Sequence, residues 1–122
     1  MGAATQTKGA DMRIEVRGRH LEDANGLQGH VERRLRFALG RFTGAVGRVT
    51  VRVEDVNGPR GGVDKRCRLV VALAPRGELI IEDEDADVRT LLDRSADRAG
   101  RAVERRLARR RARVGSPDIT WR

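Results

Sequence analysis

VTVRVEDVNGPRGGVDKRCRLVVALA, residues 49–74, decides the architecture. Val49, Val51 and Val53 alternate with Thr50, Arg52 and Glu54, the period of a half-buried strand. Asn57-Gly58-Pro59-Arg60-Gly61-Gly62 then supplies turn-tolerant residues, so the chain loops back. Alternation resumes over about Arg66–Ala74, with Cys67, Leu69, Val71 and Leu73 on one face. Pro75-Arg76-Gly77 makes a tight connection to a short strand, Glu78–Glu82. Three strands with short connections form an antiparallel meander.

Working outward, Met12, Ile14 and Val16 alternate with Arg13, Glu15 and Arg17, which predicts an earlier strand. After Leu21–Asn25 the period changes: Leu27, Val31, Leu35, Ala38 or Leu39, and Phe42 build one helical stripe, ended by Gly44 and Gly47. At the other end, Asp83-Glu84-Asp85 and Asp87 precede the longest helix, about Asp87–Arg113. Acids suit a helix start and arginines its end. The order is β-α-β-β-β-α: an α+β two-layer sandwich, a four-stranded sheet with two helices packed on one face. Residues 1–10 read as a polar leader, 11–114 as the folded domain and 115–122 as a short tail.

The composition narrows function. The 122 residues carry 26 Lys+Arg against 18 Asp+Glu, a net charge of +8, and 39% are hydrophobic. One domain is expected at this length. Only Lys8 and Lys65 are lysines, a skew that genomic base composition produces as readily as selection for phosphate binding. A single cysteine, Cys67, and two histidines exclude an internal disulfide and argue against a four-ligand zinc site. No run approaches the ~18 apolar residues of a membrane span. MGAATQTKGAD lacks the apolar centre of a secretory signal, and Gln6 breaks the N-terminal acylation pattern. The Gly-rich loop has no GKS or GKT ending, and no nucleophile, base and orienting group come together. Cys67 reads as a small apolar filler. Glu82–Asp85 could hold a divalent ion but read more simply as a helix-start cluster. Neither an enzyme nor a cofactor is expected, and no metal or small-molecule substrate.

The charge pattern points to a polyanion. At about 100° per residue, Val88, Ser95, Ala96, Ala99, Val103 and Leu107 fall within roughly 60° of Leu92 and form the core stripe. Asp93, Asp97 and Glu104 gather on one flank. Arg94, Arg98, Arg101 and Arg105 gather opposite the core, a ridge that cannot be neutralised locally and projects into water. Beyond Leu107 the run Arg109-Arg110-Arg111-Ala112-Arg113 has no stripe left to bury. On the first helix His30, Arg34, Phe37 and Arg41 fall opposite Leu35. Phe37 either stacks on an unpaired base or covers a neighbouring helix, the second being favoured. With only Phe37, Phe42 and Trp121 aromatic, the sheet lacks an RRM stacking platform, so binding should rest on phosphate contacts and shape.

LQGHVERRL (27–35), DVNGPRGGVDKRC (55–67), the basic helix 87–113 and the element order together resemble the ribosome hibernation promoting factor family. That family is also called ribosome-associated inhibitor or sigma-factor modulation protein. The resemblance spans about Met12–Arg113. It implies a cytoplasmic, non-catalytic factor that binds rRNA of the small ribosomal subunit between head and body. There it would occlude the mRNA and tRNA path and inhibit translation in stress or stationary phase. Family basic positions fall on Arg98, Arg101, Arg105 and Arg109, and on His30 and Arg34; Arg94 and Arg41 come from the helical wheel. The end at Arg122 fits the short form, without a ribosome-pairing domain, and a monomer is expected. Two other functions fit the same charges: a general binder of structured RNA, and a protein-interaction regulator whose acidic flank (Asp93, Asp97, Glu104) meets a partner.

Overall fold

A computed structural model of the chain describes residues 4–6, 12–19, 24–56 and 65–115. The loop 57–62 and the tail with Trp121 lie outside them. The strands are β1 (Ala4–Gln6), β2 (Arg13–Arg19), β3 (Val46–Asp55), β4 (Lys65–Leu73) and β5 (Glu78–Asp85). The helices are α1 (Ala24–Leu39), extended by a 3-10 turn over Gly40–Phe42, and α2 (Val88–Gly115).

The sheet has the order β1-β2-β3-β4-β5. Its β3, β4 and β5 form the antiparallel meander that alternation predicts. β2 pairs parallel to β3, as the crossover through α1 requires, with Ile14 opposite Val49 and Val16 opposite Val51. The four expected strands and two helices are therefore present as a two-layer sandwich, and three details differ. First, Ala4–Gln6, inside the segment read as a polar leader, adds a three-residue antiparallel edge strand against Arg13–Glu15. It is too short to show a period. Second, Gly47 does not end a helix; it lies in β3 beside a buried Val46. Third, β5 runs on through Asp83-Glu84-Asp85, so these acids are strand residues rather than the start of α2.

One core lies between the sheet and the helices. Met12, Ile14, Val49, Val51, Cys67, Leu69 and Val71 meet Val31, Leu35, Leu39, Leu92, Ala96, Ala99 and Val103, all almost fully buried. Leu91 is as buried as Leu92, because α2 is covered on two sides, by the sheet and by α1. Small residues let the helices approach closely. A Cβ built on Gly100 would lie 3.0 Å from the Ala38 carbonyl oxygen, so α1 would have to move for any side chain there. Gly77 closes the β4–β5 turn at φ +107°, where its N-terminal neighbour Arg76 leads into a hydrogen bond from Leu73 N to Gly77 O. The true N-cap of α2 is Asp87, whose carboxylate accepts from both Thr90 N (2.9 Å) and Thr90 Oγ1 (2.6 Å). Those bonds hold its carboxyl below the usual range.

Candidate nucleic-acid interface

The two helices run parallel, and a ladder of charge pairs closes the seam between them. His30 Nε2 lies 2.6 Å from Asp93 Oδ1. Arg34 reaches Asp97 at 3.0 Å and Asp93 at 3.3 Å. Arg41 reaches Glu104 at 3.2 Å and lies over the Phe42 ring, 4.8 Å from its centroid. His30–Asp93, Arg34–Asp97 and Arg41–Glu104 each join residues 63 apart, so the register is kept along the seam. The acidic flank of α2 is thus met by His30 and Arg34 of α1 and by Arg41 of its 3-10 extension. Asp93, Asp97 and Glu104, the acids of the protein-interaction alternative, are each engaged within the fold while their side chains stay 41%, 46% and 56% exposed.

The arginine ridge divides in two. In its first half, Arg94 is clamped by β5, with Nε 2.6 Å from Asp83, Nη1 3.0 Å from Asp85, and Nη2 donating to Glu84 O. Hydrogen bonding from Arg94 pulls the Asp83 carboxyl below its ordinary range. For Asp85 the backbone amide of Asp87 contributes most, with Arg94 next. Arg98 lies 3.4 Å from Asp83 and donates to Glu82 O. For these two positions the expectation that no local acid neutralises the ridge fails. The physical reason is β5: past Ile81 its inward-facing positions are Asp83 and Asp85, aimed at the first turns of α2. In the second half, Arg101, Arg105 and Arg109 are exposed. None of the three makes a hydrogen bond or ion pair among the described residues. This continuous outer edge keeps its charge.

The end of the helix is less loose than its sequence suggests. Arg110 donates to Ala74 O (2.9 Å) and to Arg76 O (3.5 Å), which ties the last turns to the β4–β5 turn. Phe37 covers no neighbouring helix; it is 82% exposed. It borders a shallow groove of about 330 Å³ between the helices, together with Arg41, Asp97, Arg101 and Glu104. Cys67 is buried, and burial pushes its thiol up to about 11, where it carries no nucleophilic thiolate near neutrality. Among the described residues no three His, Cys, Asp or Glu side chains gather as a metal site, and no helix is long and apolar enough to cross a membrane.

The signal that sequence reasoning missed lies in β5. Leu79, Ile81, Asp83 and Asp85 keep a period of two across the boundary between apolar and acidic residues. Alternation alone would have placed the two aspartates on the helix side of the sheet.

The model of the Sigma 54 modulation protein / S30EA ribosomal protein family matches residues 14–111. The chain belongs to that family. The S30EA match takes in both helices and β2–β5, hence every rung of the ladder and the unpaired arginines. Among solved structures, the chain is similar to the N-terminal domain of Protein Y from Thermus thermophilus. The TM-score is 0.61 and the identity 26%, over 74% of this chain and 92% of that one. It shares its fold with a ribosomal subunit interface protein from Coxiella burnetii, at a TM-score of 0.61 and 13% identity, over 78% and 97% of the two chains. No curated protein sequence matches it significantly. The family is described as one of sigma 54 modulation and S30EA ribosomal proteins, which associates this chain with the ribosome.

Proposed function

We propose that this S30EA-family protein binds the small ribosomal subunit through rRNA phosphates, occupies the path of mRNA and tRNA, and so holds idle ribosomes out of translation. The observation that carries the proposal is the outer edge of α2. Arg101, Arg105 and Arg109 remain uncountered in a molecule that pairs most of its other helix cations. Guanidinium groups with no internal partner can take phosphate oxygens without first breaking an ion pair. His30 borders this edge on Asp93, and with it lie Arg34, Arg41, Arg94 and Arg98 as paired cations. Their first role is to fix α1 and β5 against α2; their charge adds to the field an incoming RNA meets. Few aromatic or amide side chains are offered outward, so recognition rests on backbone and shape.

In this reading the factor works in the cytoplasm as a monomer, by occlusion, with no catalytic step, cofactor or small-molecule substrate. Co-sedimentation with vacant small subunits at increasing salt tests it. Binding that is tight at low salt and falls steeply with salt is expected, because each neutralised phosphate releases counterions. Absence from the subunit fraction at low salt would overturn the proposal. Equal affinity for an unrelated RNA hairpin would instead make the protein a general binder of structured RNA.

A further inference from the structure

The face of the sheet turned away from the helices carries a second set of arginines that the helix interface does not use. The strand registers line them up. Arg17 stands opposite Arg52, and Arg52 opposite Arg68, which makes three guanidinium groups side by side on β2, β3 and β4. Four residues back along the strands, Arg13 stands opposite Arg48. Neighbouring strands are about 4.8 Å apart and the two rows about 13 Å apart, with Glu15 and Thr50 between them, so the five cations form two groups on one face. Like charges placed directly opposite destabilise a sheet. Arg13, Arg48 and Arg52 nonetheless have no ion pair among the described residues. Arg17 has only a 3.8 Å contact with Glu15, and Arg68 lies 3.5 Å from Glu82. This face also carries acids: Glu15 on β2 between Arg13 and Arg17, Glu54 on β3 opposite Arg66, and Glu78, Glu82 and Glu84 on β5. The Arg17–Arg52–Arg68 row borders a depression of about 610 Å³.

We infer that this open sheet face is a second phosphate-binding surface, taking an RNA backbone on the side of the molecule opposite α2. Within the row Arg52 has no ion pair among the described residues and stands between two like charges, an arrangement whose cost an anion relieves. A polymer with regularly spaced phosphates answers two parallel rows better than a single small ion does. The face presents no aromatic side chain, so the contact is with backbone rather than bases. Built on the proposed RNA-binding reading, this makes the protein a wedge between two RNA segments, one against α2 and one against β2–β4.

The test needs no ribosome. The stoichiometry of a short RNA hairpin on the intact protein is measured by native mass spectrometry. Affinity is measured by fluorescence anisotropy over a salt series. The wild type is compared with Arg48→Glu/Arg52→Glu on the sheet face and Arg101→Glu/Arg105→Glu on the helix face. Two hairpins per protein are expected for the wild type and one for each variant. In the sheet-face variant the salt slope of the second binding step should be lost. The same variant should melt about 1–4 °C higher, because each glutamate replaces a like-charge neighbour pair with an opposite one. One hairpin per wild-type protein, with affinity unchanged by Arg48→Glu/Arg52→Glu, overturns the inference. So does a sheet-face variant that still binds two. If only an acidic peptide occupies the face while RNA does not, the occupant is protein and the inference fails. Because the hairpin is not ribosomal, loss of small-subunit binding would sink the proposed function and leave this result standing.

Discussion

The two halves of α2 carry the same residue at the same helical spacing and put it to different uses. Arg94 and Arg98 meet Asp83 and Asp85 at the end of β5 and lock the helix start onto the sheet. Arg101, Arg105 and Arg109, one to four turns further on, have passed beyond the reach of β5. Asp97 and Glu104, on the neighbouring flank of α2, are already engaged by Arg34 of α1 and Arg41 of its 3-10 extension. What makes an arginine available to a phosphate is therefore its neighbours across the fold, not its place on a helical wheel. The ladder between the helices has a double effect. It fixes their register and removes the acids that would otherwise fold back on the outer cations.

Both halves stand on one apolar stripe, so the largest effect is expected from cutting it. Leu92 is almost fully buried, and Leu92→Ala should lower stability by about 2–5 kcal/mol, read by chemical denaturation. Binding of the fraction that stays folded should be unchanged. Next comes the free half. Arg101→Glu with Arg105→Glu should leave the melting curve in place. It should weaken small-subunit binding on the order of 50-fold at 0.1 M salt and flatten the salt slope by about two, the share of two phosphate contacts. An unchanged slope would place the interface elsewhere.

The paired half should behave in the opposite sense. Arg94→Ala removes the cation between Asp83 and Asp85, so it should lower the melting temperature slightly and leave the salt slope of subunit binding intact. A loss of affinity equal to that of the free half would erase the distinction. The smallest effect is expected from acid. The Asp83 and Asp85 carboxyls are held below their ordinary range. Their contribution is complete above the unfolded value near pH 4 and is lost as pH falls through the lower folded value. A pH series of melting temperatures from 6 to 3 should therefore fall less for Arg94→Ala than for the wild type. Both carboxylates are half-buried at the edge of the sheet and still reached by solvent, so the difference will be modest.

Much of this was legible from residues taken alone. The alternation of Val49, Val51 and Val53 and of Cys67, Leu69 and Val71 placed two strands. The stripe through Leu92, Ala96, Ala99 and Val103 placed α2 and its outward side. Local periodicity reports which side of an element is buried, and those elements obey it. Which cation finds which acid was not legible. Residues 63 apart become neighbours only when a βαβ crossover and a meander bring the two helices parallel. The three-residue β1 has no period to detect. The pairing of Arg94 with β5 required seeing that alternation continues into Asp83 and Asp85.

The claim that the outer edge of α2 grips rRNA is tested most directly by an electron-density map of the protein bound to a vacant small subunit. The account predicts Arg101, Arg105 and Arg109 within hydrogen-bonding distance of phosphate oxygens, with the His30–Asp93 and Arg34–Asp97 rungs intact behind them. Density that turns α2 toward solvent, with those three arginines touching no RNA, would contradict it.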